Sequence, residues 1–179
     1  MAEVFSNQLT RAAGSVLTRT NSSVGAASTE ITVSSNTGIN VSDLIVNSNF
    51  IAGTKVHSIN GNVINADRAS VTDSASSGQV VKFLQPSNVY TSPSNTKSIL
   101  IGGTFANNTN NSVDLTIELY DTSSSVGVAL ASRIPIPAGS SFIISDTGKT
   151  LLESQDELRV YCNTDNAIDV SLSILQGVN

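Results

Sequence analysis

The sequence predicts an all-β fold, and three observations carry this prediction. From Val113 to Tyr120, aliphatic residues occupy every second position and polar residues fill the gaps, which is the pattern of a half-buried antiparallel strand. Ser, Thr, Asn and β-branched aliphatic residues are abundant while aromatic residues make up 4%, and this composition favours strands and turns over helices. Glycine-containing turns separate several further short apolar runs, as expected for paired strands.

The chain divides by composition into four segments. We expect an N-terminal arm and first strand over residues 1–27, a smaller β-module over 28–85, a linker over 86–96, and an antiparallel β-sandwich of jelly-roll-like form over 97–179. The linker prediction depends on its two prolines and its Ser, Asn and Thr residues. A single sandwich in which residues 86–96 form a long crossover fits the same pattern.

The N-terminal segment carries isolated apolar residues. Val4, Phe5 and Leu9 fit one face of a short helical turn, which Gly14 would end. Residues 15–20 read as a short strand. Because so short a segment gains little by ordering alone, we expect Val4, Phe5 and Leu9 to dock on a neighbouring subunit; a frayed tail is the alternative.

Short strands separated by glycine turns are predicted for residues 28–85. Asn60-Gly61 is the strongest hairpin signal in the chain, and it should join strand 55–59 to strand 63–65. The other strands of this segment are predicted at 30–33, 44–46 and 79–83.

Longer strands with the same alternation are predicted for the second half. They are expected at 98–105, 113–120, 128–134, 140–144, 157–162 and 168–174. Gly102-Gly103 indicates a bulge or the close approach of another backbone. Pro135 and Pro137 lack an N–H group, so this stretch belongs at a sheet edge or a corner.

Composition argues against two classes of partner. Charged residues make up 13% of the chain and the formal net charge is −5, so we expect no nucleic-acid partner. No apolar run approaches the ~18 residues of a membrane span, and the first residues lack the basic, apolar pattern of a secretory signal. We therefore expect no membrane partner and synthesis in a cytoplasm.

The nucleophilic and basic side chains do not form a catalytic pattern. Cys162 is the single cysteine and lies in an alternating strand, so we expect an inert, buried thiol. His57 is the single histidine, and we expect it to be an exposed strand residue beside a hairpin rather than a catalytic base. We predict that the chain is not an enzyme.

Two further motifs were weighed as ligand sites. Residues 145–150 resemble the end of a phosphate-binding loop, but Ile143 stands where that loop needs a glycine. The acidic pairs Asp156-Glu157 and Asp165/Asp169 are expected to cap turns, with loop-bound calcium as the alternative. We predict no cofactor and no metal site.

A first resemblance covers residues 31–83. An aspartate-led strand at 43–46 is followed by a Gly-Thr turn at 53–54, a V-x-S-I strand at 56–59 and a Gly-led strand at 78–83. This order resembles a small β-module of structural proteins of tailed bacteriophages. Residues 47–49, Asn-Ser-Asn, replace the glycine-rich connection of that module.

A second resemblance covers residues 97–176. The stretches I-P-A-G-S-S-F-I-I-S at 136–145, L-L-E-S-Q-D-E-L-R-V-Y at 151–161 and I-D-V-S-L-S-I-L at 168–175 are similar to small virion proteins of tailed phages, especially those of marine cyanobacteria. The resemblance implies a structural role on the particle. It does not distinguish head, neck and tail.

These observations lead to one expected function and one alternative. We expect a virion structural protein, either a capsid decoration or cement protein or a neck or tail accessory protein, that contacts other virion proteins and copies of itself as a homo-oligomer. The alternative is a receptor- or glycan-binding module of a tail fibre. Its candidate glycan contacts are Tyr120 and Tyr161, which the alternation places on polar strand faces.

Overall fold

The computed structural model describes residues 3–71, 74–145 and 149–178. These residues form fifteen strands and no helix, and all of their strand ladders are antiparallel. The strands are β1 Val4–Ala13, β2 Ser15–Val24, β3 Glu30–Val33, β4 Leu44–Val46, β5 Val56–Asn60, β6 Val63–Ala66, β7 Val80–Gln85, β8 Ser87–Thr91, β9 Lys97–Asn107, β10 Val113–Asp121, β11 Val126–Ile136, β12 Ser141–Ile144, β13 Thr150–Leu152, β14 Glu157–Cys162 and β15 Ile168–Val178. The predicted all-β fold with antiparallel sheets is confirmed. Within the described ranges, no helix is long and apolar enough to cross a membrane.

The chain forms two compact units. The terminal unit contains Met1–Gly14 and Ser87–Asn179, and the middle unit contains Ser15–Pro86. These boundaries differ from the predicted ones. The segment 1–27 is divided between the two units after Gly14, and residues 87–96 belong to the terminal unit instead of linking two domains.

The prediction of a linker over residues 86–96 is wrong, because this segment contains strand β8. β8 pairs with β14, and Val89 and Tyr90 are buried. Pro86 precedes β8 and Pro93 follows it, so neither proline removes a hydrogen bond from the ladder. The prolines therefore mark the ends of a strand and not a polar connector.

The middle unit is built on one sheet with the order β4-β7-β2-β3-β6-β5. Ile59 lies opposite Ile64 across the β5–β6 hairpin, so the hairpin predicted from Asn60-Gly61 is confirmed, and Gly61 has a positive φ of 56°. Its core consists of buried aliphatic residues and two phenylalanines: Val24, Ile31, Val33, Ile39, Ile45, Phe50, Val56, Ile64, Ala66, Val81 and Phe83.

The terminal unit contains two sheets. The β15 sheet has the order β1-β15-β9-β12, with β13 also pairing with β9, and the β10 sheet has the order β11-β10-β14-β8. One hydrophobic cluster draws on both sheets, including Phe105 and Leu172 from the β15 sheet and Ile117 and Leu158 from the β10 sheet. The six strands predicted for the second half correspond to β9, β10, β11, β12, β14 and β15.

Strand β1 replaces the helical turn predicted near the N-terminus. It pairs with β15 from Val4 opposite Gln176 to Ala13 opposite Ile168, and this ladder gives its backbone partners that a short helix lacks. The strand ends at Gly14, where φ is 120° and an added Cβ would lie 2.5 Å from the Thr164 carbonyl oxygen. Only glycine fits this conformation and this close approach.

The glycine and proline predictions of the second half are confirmed. The β9–β15 register shifts between Ser173 and Ile174, opposite Gly102 and Leu100, so β9 carries a bulge there. A Cβ on Gly103 would lie 2.8 Å from Leu172. Pro135 lies in β11, an edge strand of the β10 sheet.

Candidate interaction surface

One face of the β15 sheet belongs to the core. Leu100, Phe105 and Leu172 are buried in the hydrophobic cluster of the terminal unit. Because successive side chains of a strand point to opposite faces, the residues that alternate with them form the other face of this sheet. That face is accessible to solvent and carries unusually apolar side chains.

The strand register aligns a first apolar row across this accessible face. Phe5 on β1 lies opposite Leu175 on β15, and Leu175 lies opposite Ile99 on β9. Leu151 on β13 pairs with Ile99 from the other side. The row therefore runs through apolar side chains of successive strands.

A second row crosses the same face. Leu9 on β1 lies opposite Ser171, Ser171 lies opposite Thr104, and Ile143 on β12 lies opposite Thr104. Apolar side chains thus stand at both ends of this row and small polar ones in its middle. A groove of about 340 Å³ lies beside it, lined by Leu9, Arg11, Thr104, Ala106, Asp169 and Ser171.

Four large apolar side chains of this face are strongly exposed, and Ile99 and Leu175 are partly exposed. The exposed fraction is 66% for Phe5, 76% for Leu9, 61% for Ile143 and 44% for Leu151. Isolated exposed aliphatic residues are common, but the first row is continuous across four strands, and an aligned apolar row of this kind is a candidate interaction site. We call this surface the outer apolar face and define it by Phe5, Leu9, Ile99, Ile143, Leu151 and Leu175.

The residues predicted to form an interface arm occupy an edge of this surface. Phe5 and Leu9 lie on the outer apolar face, whereas Val4, which is also exposed, points to the opposite side of β1 because the strand alternates. The three residues share no helical face. Their docking on a neighbouring subunit remains a prediction, now attached to an ordered edge strand.

The residues missed by the sequence analysis are Ile99, Ile143, Leu151 and Leu175. A signal for two of them exists in the sequence, because Phe142-Ile143-Ile144 in a predicted strand and Leu151-Leu152 outside the predicted strands are runs of consecutive apolar residues. In an alternating strand at least one residue of each run faces away from the core. Phe142 and Leu152 are on the core side, which leaves Ile143 and Leu151 outside.

The candidate glycan contact Tyr161 is buried, which corrects the prediction that it lies on an exposed polar face. Its side chain is 0% exposed, and its hydroxyl donates a hydrogen bond of 3.0 Å to Glu118 Oε1. Burial, with the neighbouring Glu118 carboxylate, raises the pKa of Tyr161. The ring therefore cannot stack on a sugar in this conformation.

The second candidate, Tyr120, is paired within the protein. The Arg159 guanidinium carbon lies 3.4 Å from the centre of the Tyr120 ring, a cation–π contact. Arg159 Nε also donates a 2.7 Å hydrogen bond to Glu157 Oε2. One face of the Tyr120 ring is thus covered, and the group of polar residues around it is internally paired.

Glu118 completes this polar group. It is 3% exposed although it lies on the predicted wet face of β10, and its carboxylate lies directly over Gly127 of β11, in the space that a Cβ would occupy. Thr116 on the same face is also buried and accepts a 3.0 Å hydrogen bond from the Arg133 backbone N–H. The polar face of β10 is therefore buried and hydrogen-bonded at Thr116 and Glu118 and half-buried at Asp114 and Tyr120.

The candidate catalytic residues fall where the sequence predicted. Cys162 is fully buried, and burial raises the pKa of its thiol, which disfavours the reactive thiolate. His57 is an exposed residue of β5.

Asp156 and Asp169 of the acidic pairs accept hydrogen bonds from backbone N–H groups. Asp156 is buried and its Oδ2 accepts a 2.9 Å hydrogen bond from the Glu153 backbone N–H, so it caps a turn as predicted. Asp169 Oδ1 accepts a 2.8 Å hydrogen bond from the Ala12 backbone N–H. Residues 146–148 of the phosphate-loop motif lie outside the described residues. Among the described residues, no group of three or more His, Cys, Asp and Glu side chains is arranged to hold a metal ion.

One buried carboxylate of the middle unit lacks a full set of partners. Asp43 is 0% exposed; its Oδ2 accepts a 2.8 Å hydrogen bond from the Asn40 backbone N–H, while its Oδ1 has no hydrogen-bond partner. Burial raises the pKa of Asp43 to about 6, against the opposing effect of the Asn40 hydrogen bond. The ionised Asp43 carboxylate therefore lowers the free energy of unfolding at neutral pH.

Comparisons with protein families and curated proteins identified no relative of this chain. The chain matches no protein-family model, and no curated protein matches it. The outer apolar face and the internally paired polar residues around Glu118 are therefore the structural observations on which a function can be based.

Proposed function

We propose that this protein is a non-enzymatic structural component of a tailed-phage virion that acts by packing against neighbouring subunits. The observation that carries the proposal is the outer apolar face. Its apolar rows lie on paired strands of one sheet, so it is a broad, ordered surface rather than a set of scattered side chains. A surface of this kind favours contact with another protein.

The resemblance to phage proteins is the reason for proposing that the assembly is a tailed-phage virion. Residues 31–83 and 97–176 resemble structural proteins of tailed phages, and in this proposal the chain is a capsid decoration or cement protein or a neck or tail accessory protein. Its partners are other virion proteins and copies of itself, and it assembles on the particle after synthesis in the host cytoplasm. Contact area rather than charge supplies most of the affinity, because the face is dominated by apolar side chains.

We further propose that the terminal unit is an antiparallel β-sandwich of jelly-roll-like form. The shared hydrophobic cluster supports this, since the β15 sheet contributes Phe105 and Leu172 and the β10 sheet contributes Ile117 and Leu158 to it. Two sheets that bury a common core form a rigid module. A rigid module suits a protein that reinforces a repeating surface.

The structure weakens the glycan-binding alternative, because neither candidate tyrosine presents a fully open ring on which a sugar could stack. Tyr161 is buried against Glu118, and Tyr120 is covered on one face by Arg159. A glycan array probed with the wild-type protein is expected to show no binding. Binding that is abolished by Tyr120→Ala, but not by the neighbouring change Asp121→Ala, would favour the fibre module over the structural subunit.

Particle association tests the main proposal directly. Particles of the phage that encodes the chain would be purified on a density gradient and probed with an antibody against the chain. The chain is expected to migrate with the particle band, and immunogold labelling of the same particles locates it on head, neck or tail. Recovery of the chain only in the fractions free of particles would overturn the proposal.

A further inference from the structure

We infer that the outer apolar face binds a second copy of this chain, with the two faces packed against each other in a two-fold symmetric dimer. The inference deepens the proposed function, because it names the partner of the same face. Three properties of the face carry it: the apolar rows, the area that two such faces bury, and the balance of charge at the rim.

The apolar rows give the centre of the contact. Phe5, Leu9, Ile143 and Leu151 are each exposed by 44% or more, and the small residues Asn7, Ser173 and Gly102 lie between the two rows in the β1–β15–β9 register. Large and small side chains therefore alternate across the face. Two copies can interdigitate them, as the inner faces of packed sheets do.

The area agrees with a homodimer of modest affinity. Strands about 4.8 Å apart and about seven residues long at roughly 3.4 Å per residue give the four-strand face dimensions of about 20 Å by 24 Å, on the order of 500 Å². Two copies together bury on the order of 1,000 Å², which is about the minimum for a biological interface and below the roughly 1,200–2,000 Å² of stable complexes, as expected for a weak dimer. A small peptide or a single strand edge would leave most of the face exposed.

The charges at the rim suit self-association. Arg11 and Asp169 both line the groove beside Leu9, and Lys97 Nζ lies 3.0 Å from Glu153 Oε1 near the other end of β9. These two positive and two negative charges cancel, although the whole chain carries −5. Two copies therefore meet at this face without the repulsion that their net charge would produce at an acidic surface.

A second exposed apolar row, on the edge strand β11, provides the competing geometry. Val126, Val128 and Leu130 are exposed there, and an unpaired edge strand can add a strand from another chain. The β11 row belongs to one strand only, whereas the outer apolar face presents side chains from β1, β9, β12, β13 and β15. The face therefore offers more contact area than the edge.

The test compares matched aspartate substitutions on the two surfaces. The full chain would be studied by sedimentation velocity from low to high micromolar concentration, with far-UV circular dichroism as the check of folding. The wild-type protein is expected to form a dimer. Leu9→Asp with Ile143→Asp should weaken the dimer at least tenfold, while Val128→Asp on β11 should leave it unchanged.

Other outcomes separate this inference from the proposed function. A wild-type protein that stays monomeric at the highest concentration, or a dimer that Val128→Asp breaks and the double variant does not, would overturn the inference. If the double variant fails to fold, Phe5→Asp on the first row takes its place with the same expectation. A monomeric protein still found in virions would leave the proposed function intact, and a dimer absent from virions would overturn only that function.

Discussion

The outer face of the β15 sheet carries exposed apolar side chains, whereas the corresponding face of the β10 sheet carries polar side chains, some of which are buried. On the first, Phe5 and Leu9 point into solvent; on the second, Glu118 and Tyr161 are 3% and 0% exposed. Both faces lie opposite a hydrophobic core, and both come from strands with the same alternating pattern. The alternation of a strand thus determines which residues share a face, but not what covers that face.

The two faces differ in whether their side chains find partners within the chain. The polar layer of the β10 sheet is paired internally, with Tyr161 donating to Glu118 and Arg159 donating to Glu157, so its burial leaves these groups with partners. The apolar layer of the β15 sheet has no such internal solution, because only burial satisfies an apolar side chain. The comparison therefore supports the proposal of a subunit contact at the β15 sheet and of a stabilising role for the polar residues of the β10 sheet.

Removing Glu118 should have the largest effect and would test the structural role of the polar layer. Glu118→Ala removes the carboxylate that accepts the hydrogen bond of the Tyr161 hydroxyl, and loss of one member of a buried, charged network costs about 3–5 kcal/mol. Urea denaturation followed by circular dichroism measures this loss in the free energy of unfolding. Asp114→Ala on the same strand is the control, since Asp114 is only half-buried. Equal losses for the two variants would mean that the layer is not a stabilising network.

Asp43 extends the comparison to a buried polar group that is not fully satisfied. The folded state raises the pKa of Asp43 from its ordinary value of 3.8 to about 6, so it takes up a proton before the unfolded chain does. The free energy of unfolding should therefore rise as the pH falls through about 6, by up to about 3 kcal/mol once the pH is below the unfolded value.

Asp43→Asn isolates this contribution. Between pH 7.5 and pH 5 the wild-type protein should gain about 1 kcal/mol more stability than the variant does, because only the wild-type protein protonates at this position. Chemical denaturation of both proteins across this pH range measures the difference. Parallel pH profiles would show that Asp43 has an ordinary pKa and an unrecognised partner for Oδ1.

Gly127→Ala tests the packing of Glu118 over β11. A Cβ at Gly127 would overlap the Glu118 carboxylate, and because that carboxylate is held by Tyr161, the overlap should cost about 1–3 kcal/mol. In the Glu118→Ala background the obstacle is gone, so the same change should cost less than about 0.5 kcal/mol. A double-mutant cycle by urea denaturation gives the coupling energy. If the losses from Gly127→Ala and Glu118→Ala were simply additive, the Glu118 carboxylate would not pack over Gly127.

The local signals in the sequence predicted much of the fold. Asn60-Gly61 identified the β5–β6 hairpin, and Gly102-Gly103 identified the bulge in β9, because turn and bulge chemistry depends on a few adjacent residues. The alternation of residues 113–120 identified β10 as a strand. The prediction that the polar face of β10 is wet was wrong at Thr116 and Glu118, because the burial of these residues depends on tertiary packing.

Long-range pairing was not predictable in the same way. β1 pairs with β15, so Phe5 meets Leu175 across almost the whole length of the chain, and no local pattern encodes that partner. β8, which lies between two prolines, was not predicted for the same reason: it forms a strand because it pairs with the distant strand β14. Of the outer apolar face, the sequence therefore named Phe5 and Leu9 as candidate interface residues, but not their neighbours Ile143 and Leu151.

The smallest expected effect is the stability change from Leu9→Asp, and it separates the two faces most directly. Leu9 is 76% exposed, so the substitution removes little buried area from the folded monomer, and a surface change of this kind alters stability by about 0.5 kcal/mol or less. Measurement at a concentration where the protein is monomeric excludes the contribution of association, which would otherwise add to the apparent stability. A loss above about 2 kcal/mol would show that Leu9 supports the fold of its own chain. A near-zero change together with a weakened dimer means that the same side chain acts only between chains, which is the opposite of the result expected for Glu118.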